Sequence, residues 1–524
     1  MRARNSTAAT PLLPEGTPTM GLFDYDNSSI DSILKYTAEN LVGRSLYDLL
    51  EEYQNSEYKT YEDKKKGTPS TTTHKEISKL SKGIYGSLVE KLSYGIDPNN
   101  SPDPDIPAAR VEIKTTPYRV NANGTISAKE RLVLSMFNFH EENLDDFYQT
   151  HLWHKCQNIL LLFYKYQKTR DILNNITDKF FLFDWPEEDM PTILEDYKRI
   201  TQKVLEGRAH ELSESDGMYL STCRKGAGKD KDRTTQPYGP ELANRRAWSL
   251  KSSYMTTLLR TKVFSQEEQE SIARAAQDTS KPFTQIIEEK LLQYRGQSEK
   301  ELCKKFDVNF NAKGRNSTLV RKILGLSSDI DSTAEFKKAN MNIRAIRVDK
   351  NGLPKEDSPF KNYRFIELAK EEEWEESHIY AEIFSRKFMF VVFRENESGD
   401  FCLDQIKFWG FPEPLEPELM RVWQETKEII NRGVELTVKP NGEDGFKVST
   451  NFPQSKVNKY LFTKVHASQT YYEVKPGEYV GKGKLKDTDE LPDGSRITKH
   501  SFWLPKKFVQ QILRGEWDTY QWWC

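Results

Sequence analysis

The sequence has no Cys-x-x-Cys pair, and its five cysteines, at 156, 223, 303, 402 and 524, are odd in number and widely spaced. That argues against a disulfide framework or a zinc site and for a reducing compartment. No stretch approaches the roughly 18 consecutive apolar residues of a membrane span, and the N-terminus has no apolar signal core, so no membrane partner and a cytoplasmic location are expected. Histidine is scarce, and only His151 and His154 stand close together. Their spacing is read as one helix end with one buried and one exposed imidazole. Neither sign of charge is in excess, 77 Lys+Arg standing against 79 Asp+Glu. This excludes a uniformly basic protein but not a local basic cleft, because phosphates respond to the nearby field.

What the sequence does have is length and pattern. Its 524 residues suggest two to four domains. Residues 1–19 have loop composition and read as a disordered leader, outside the fold. Apolar residues recur at helical spacing through 29–52, a polar connector covers 53–76, and a helix is predicted over 77–92. Strands are predicted at 110–120, 131–138, 157–165 and 179–185, followed by a helix over 191–207. The fold class is α/β, a mixed sheet flanked by helices.

One stretch carries spacing suited to phosphodiester hydrolysis: Pro104-Asp105, then Glu112-Ile-Lys114. Val111 and Ile113 alternate with Glu112 and Lys114, so the apolar pair faces a core and the polar pair shares the other strand face. Asp105 and Glu112 are candidate ligands for Mg²⁺, and a lysine two residues past Glu112 lands beside it, placed to orient water or neutralise phosphate. Glu-x-Lys alone means little here, since it recurs at Glu62, Glu288 and Glu473.

The run VEIKTTPYRVNANGTISAKERLVLSMFNF (111–139) resembles the active-site region of the MutH mismatch-repair nuclease family, which includes GATC-cutting restriction endonucleases. The likeness extends to KGIYGSLVEKL (82–92), AHELSESDGMYLSTCRKGAG (209–228) and RRAWSLKSSYMTTLL (245–259), in the family's order. The resemblance implies that Asp105, Glu112 and Lys114 are the catalytic and metal positions, that Glu90 is a further acid, and that Lys129 is a second active-site lysine. It also implies Mg²⁺, double-stranded DNA as partner, GATC as the site, and a dimer formed on DNA as an expectation. Ser249 stands where the repair enzyme has a tyrosine tied to methylation sensing, so the resemblance does not carry Dam-type methylation discrimination over to this chain.

A glycine-flanked basic segment, with Arg224, Lys225, Lys229, Lys231 and Arg233, is the candidate DNA-reading loop, because arginine can pair bidentately with guanine in the major groove. Tyr219, just upstream, and the interleaved Arg246, Lys251 and Tyr254 join it as DNA-binding candidates, although part of that aromatic set must be core.

The second half reads as a worn copy of the first. RVNANG (119–124) recurs as RVDKNG (347–352), NILLLFYK (158–165) as KFMFVVFR (387–394), and WSLKSSYMTTLL (248–259) as FWLPKKFVQQIL (502–513). Counting back from the shared Arg-Val sets Asn340 against Glu112 and Asn342 against Lys114, while LVRK (319–322) sets Arg321 against Glu90. These residues cannot hold Mg²⁺. The expected architecture is therefore two tandem MutH-like lobes: catalytic 20–262, a linking helix at 263–290, and a degenerate lobe at 291–524 that binds a second GATC through Lys499, Lys506 and Lys507. A mismatch-repair nicking enzyme and a non-catalytic methylation reader are the alternatives.

Overall fold

The computed structural model describes residues 23–56, 84–99, 101–121, 123–168, 171–226, 232–266, 269–440 and 446–518. The leader at 1–19, Lys229 and Lys231 lie outside them. The chain divides into two compact units, the first running to Gln269 and the second from Glu270, with Ser213–Asp216 counted in the second.

In the first unit the apolar periodicity of 29–52 becomes two helices, α1 (Ile30–Asn40) and α2 (Leu46–Gln54). Each begins at a serine, Ser29 or Ser45, whose hydroxyl accepts a backbone N–H of the first turn. Gly43 between them sits at φ 85°, a left-handed conformation that a β-carbon disfavours. There follow α3 (Ile84–Tyr94), β1 (Val111–Val120), β2 (Ile126–Ala128), β3 (Leu132–Phe137), α4 (His151–Cys156), β4 (Asn158–Lys165), β5 (Thr177–Phe183) and α5 (Met190–Leu205). The unit closes with β6 (Leu220–Arg224), β7 (Arg233–Thr234), β8 (Ala243–Asn244), β9 (Arg246–Leu250) and α6 (Ser252–Leu258).

The main sheet has the order β2-β1-β4-β5, with β1 and β4 parallel and the outer pairings antiparallel. A second sheet, β3-β9-β6, is antiparallel. Val111 and Ile113 on β1, with Leu160 and Leu162 on β4, share one buried cluster with Ile33, Leu49 and Val89 from α1, α2 and α3. Fully burying each aliphatic side chain is worth about 1.5–3 kcal/mol, so this cluster fixes which face of β1 is core. Glu112 and Lys114 are thereby turned to the other face.

The stretch 263–290 is not one linking helix. Two short helices of the second unit, α7 (Ile272–Ala276) and α8 (Phe283–Leu292), occupy part of it, and both bury apolar side chains, among them Ile272, Phe283, Ile286 and Ile287. Then come α9 (Glu299–Lys305), α10 (Arg315–Leu324), α11 (Ala334–Ala339), β10 (Met341–Val348), β11 (Ser358–Asn362), α12 (Phe365–Ala369), β12 (Lys387–Glu395), β13 (Phe401–Gly410) and α13 (Glu416–Arg432). The remainder comprises β14 (Leu436–Pro440), β15 (Phe446–Thr450), β16 (Phe462–Val465), β17 (Tyr471–Lys475), β18 (Glu478–Gly481), β19 (Thr488–Glu490), β20 (Arg496–Thr498), β21 (His500–Leu504) and α14 (Lys506–Leu513).

Here β10 pairs parallel with β12, and β12 pairs antiparallel with β13, the relation that β1, β4 and β5 have in the first unit. A second sheet runs β11-β21-β16, and α14 follows β21 as α6 follows β9. The register corrects the count taken from the shared Arg-Val. Val111 sits opposite Asn158 on the first rung and Met341 opposite Lys387, while left-handed Arg110 (φ 54°) and Asn340 (φ 52°) each precede the strand. Glu112 therefore corresponds to Asn342 and Lys114 to Arg344, two residues later than the count gives.

One contact ties α5 to the start of β6. Asp196 is fully buried, and its carboxylate accepts the N–H groups of Met218 (2.6 Å), Tyr219 (2.7 Å) and Leu220 (3.0 Å). Burial lifts its pKa to about 6 against the pull of Arg199 and the Met218 and Tyr219 amides. An amide in its place would turn one donor group toward other donors. Asp196→Asn is expected to destabilise the first unit by about 1–3 kcal/mol, the cost of leaving buried polar groups unmatched; thermal unfolding checks this, and an unchanged transition would show that the clamp contributes nothing.

Candidate active site

Because β1 is central and its other face is core, the carboxylate of Glu112 is enclosed, with 1% of the residue exposed. A charge so buried needs partners, and it has three. Lys114 Nζ lies 2.5 Å from Oε1, the backbone N–H of Asp105 donates to Oε2 at 3.2 Å, and Lys155 Nζ stands 3.7 Å from Oε2. Asp105 is held against the strand in return, Oδ2 accepting the N–H of Ile113 at 2.9 Å. The bridge between Ile106 and Val111 closes the connecting loop, with Arg110 in its left-handed corner.

Lys155 was not legible as a site residue. It lies in the last turn of α4, and its ammonium also donates to the carbonyls of Ser101 (3.0 Å) and Asp103 (3.2 Å), linking the segment before Asp105 to Glu112. Nothing in the spacing of 151–156 signals this, because α4 meets β1 only through the fold. Lys129, by contrast, has its Nζ over the Tyr166 ring at 4.4 Å and its backbone N–H on the Pro117 carbonyl, further along β1. The second ammonium at Glu112 is Lys155, not Lys129.

Glu90 enters from α3. Gly86, one turn earlier, lets the helix approach β1, since a β-carbon there would lie 3.3 Å from Thr115 Oγ1. Burial, and next the charge of Asp105, push the Glu90 carboxyl up to about 7, with Lys114 opposing. Burial also raises Glu112, against Lys114. Desolvation works against the Lys114 ammonium, but the charge and hydrogen bond of Glu112 outweigh it and hold its pKa above the ordinary lysine value. Lys114 is thus a persistent cation rather than a base.

Among the described residues no three His, Cys, Asp or Glu side chains are gathered tightly enough to hold an ion by themselves. Asp105 and Glu112 are a carboxylate pair, and Glu90 is a third acid made costly to ionise by burial and then by the charge of Asp105. Hard oxygen donors with uncompensated negative charge fit Mg²⁺, which takes one or two carboxylates and keeps several waters.

The DNA-reading candidates separate by exposure. Arg224 and Arg233 are exposed and Lys225 and Lys251 partly so. Arg246 is 1% exposed, donates to the Leu212 carbonyl and lies 3.5 Å from Thr222 Oγ1, so it belongs to the sheet interior. Tyr219 and Tyr254 are buried and packed together, with Tyr254 donating to Asp189 at 2.8 Å. These three are corrected to core positions. Ser249 is also buried, between Val133 and Ser221. In the second unit Lys507 is exposed, Lys506 is half-buried, and Lys499 donates to the Lys486 carbonyl at 2.6 Å.

Residues 94–196 match the family model described as DNA mismatch repair enzyme MutH. That span contains Asp105, Glu112, Lys114 and Lys155. Over 461 residues the chain is 31% identical to the type II restriction enzyme Sau3AI of Staphylococcus aureus, an alignment covering 83% of this chain and 93% of that enzyme.

A raised folded-state pKa makes the folded protein bind a proton that the unfolded chain has released. Without metal, Glu90 therefore costs stability as pH rises from its ordinary value of 4.5 through about 7. Glu90→Gln is expected to remove a cost on the order of 1–3 kcal/mol at pH 8 and none at pH 4. Chemical denaturation in EDTA across this window reads it; identical pH slopes for parent and variant would refute the assignment.

Proposed function

The chain belongs to the MutH-like type II restriction endonucleases, and on that premise we propose that it cleaves double-stranded DNA at GATC with Mg²⁺, the first unit carrying the chemistry and the second binding a further GATC. The observation that carries the catalytic part is the convergence of Asp105, Glu112, Lys114 and Lys155 at the start of β1.

In this reading Asp105 and Glu112 hold Mg²⁺, with Glu90 as the adjoining acid. When bound there, the ion supplies positive charge at the attacked phosphate and favours deprotonation of water. The chain's own residues do the rest. Lys114 brings a fixed cation to the phosphate and orients the attacking water from the strand face. Lys155 ties Glu112 to the segment before Asp105 and so positions the two carboxylates relative to each other. Arg224, Lys225 and Arg233, at the exposed end of β6 and on β7, contact DNA, with Arg224 suited to reading a guanine edge. Lys229 and Lys231 belong to the same segment by sequence.

The second unit supports a tandem-lobe reading through its strand pairing, and Asn342 and Arg344 at the positions of Glu112 and Lys114 support a loss of chemistry there. Lys499, Lys506 and Lys507 remain its DNA-contact candidates. Occupancy by a second site can speed cutting only through differential affinity for the active state of the chain.

Cleavage of supercoiled plasmid gives the tests. Glu112→Gln and Asp105→Asn are expected to bind GATC duplex as the parent does and to cut nothing, and Lys155→Met to cut on the order of a hundredfold more slowly. Parental rates in any of these would refute the site. Two-site plasmids are expected to be cut faster than one-site plasmids, with a short GATC duplex rescuing the latter. Equal rates, unmoved by added duplex, would reduce the second unit to a scaffold.

A further inference from the structure

The place in the second unit that corresponds to the catalytic pocket is not empty of chemistry. Asp331 occupies the position of Asp105: its Oδ1 accepts the N–H of Ile343 at 3.0 Å, as Asp105 accepts that of Ile113. Its other oxygen takes the Asn342 amide at 3.0 Å. Asn342 Oδ1 in turn accepts from Arg386 Nη1 at 2.5 Å, and Arg386 Nη2 donates to Glu382 at 2.8 Å. Lys361 stands 3.7 Å from the same Glu382. Both local carboxylates are thus engaged by donors of the unit itself.

Arg344, where the first unit has Lys114, is in a different condition. Its Nη1 donates to the Pro359 carbonyl at 2.5 Å, and the guanidinium lies over the rings of Phe360 (4.8 Å) and Phe388 (5.7 Å). Its Nε and Nη2 donate to no described residue. Those two nitrogens form one edge of the guanidinium, a parallel pair of N–H donors that matches two phosphate oxygens. The aromatic faces and the Pro359 carbonyl fix the plane of that fork. Arg386, whose Nη atoms serve Asn342 and Glu382, keeps its Nε buried without a hydrogen-bond partner. Burial lowers the Arg344 pKa to about 10, which leaves it charged at neutral pH.

We propose that this pocket is a metal-independent phosphate cradle, in which the Nε–Nη2 edge of Arg344, backed by Arg386, takes one backbone phosphate of DNA bound to the second unit. The substitution pattern accounts for the change. In the first unit three acids outnumber two lysines, so a phosphate needs a cation between itself and the carboxylates. In the second, an amide replaces Glu112 and arginine replaces Lys114, so the protein's own charge faces the phosphate. The inference rests on the reading of the second unit as DNA-binding.

The test uses the full-length Glu112→Gln protein in EDTA with a short GATC duplex, and counts duplexes per chain by native mass spectrometry. Two per chain are expected. Methylphosphonates, which neutralise single phosphates, are then placed one by one along the duplex. One position is expected to weaken binding roughly ten- to hundredfold, the size of a charge-assisted contact, and to lose that effect in Arg344→Met. Arg344→Lys, which keeps the charge without the fork, serves should the methionine variant fail to fold, and is expected to reduce the effect. One duplex per chain would overturn the DNA-binding reading itself. Two duplexes with the same methylphosphonate profile in parent and Arg344 variants would overturn the cradle alone.

Discussion

A carboxylate enclosed on the polar face of a central strand is the constraint to which the first unit is fitted. Glu112 is 1% exposed, and an ionised group at that depth persists only if its oxygens are met by donors or cations. Lys114 meets one from two residues along the strand; the Asp105 N–H and Lys155 serve the other. Satisfying Glu112 therefore fixes the loop that carries Asp105 and the end of the helix that carries Lys155. The arrangement remains electrostatically incomplete, because Glu90 adds a third acid whose ionisation burial and its neighbours resist. A site that is hydrogen-bonded yet short of positive charge is suited to a divalent ion and a phosphate arriving together.

The second unit solves the same backbone problem with different charges. A left-handed residue before the strand, an aspartate that caps the third strand amide, and a parallel partner strand are all present there too. What differs is the side chains that face outward from that frame. Asn342 accepts from Arg386 where Glu112 stands beside lysines, and Arg344 is braced by Phe360 and Phe388 where Lys114 pairs with an acid. A backbone frame of this kind is held by hydrogen bonds that do not depend on side-chain identity, so chemistry can be replaced while topology persists.

Much of this was legible in the sequence for identifiable reasons. Period-two alternation at 111–114 gave the strand and the shared face of Glu112 and Lys114, and continuous apolar runs marked β4 and β12. Strong local punctuation was read less well: Gly43 and Ser45 split one periodic stretch into two helices, and α7 and α8 fold into the second unit although the segments flanking α7 are polar. Counting from the shared Arg-Val placed the positions to be compared with Glu112 and Lys114 two residues too early for the observed strand register, because β10 has eight residues and β1 has ten. Counting from the far end of strands of unequal length carries that difference to the site.

The sequence by itself determined the α/β class, the strand that bears Glu112 and Lys114, and the likeness to MutH-type nucleases, because these depend on local periodicity and on residues close together in the chain. Only the tertiary structure decided which distant groups meet them. Lys155 rather than Lys129 reaches Glu112, Tyr219, Arg246 and Tyr254 turn inward, and Asp196 clamps the start of β6 from 22 residues before its nearest partner. The physical reason is that burial and long-range pairing are set by how sheets and helices stack, and an arginine or tyrosine has the same local pattern whether its neighbours leave it facing solvent or enclose it.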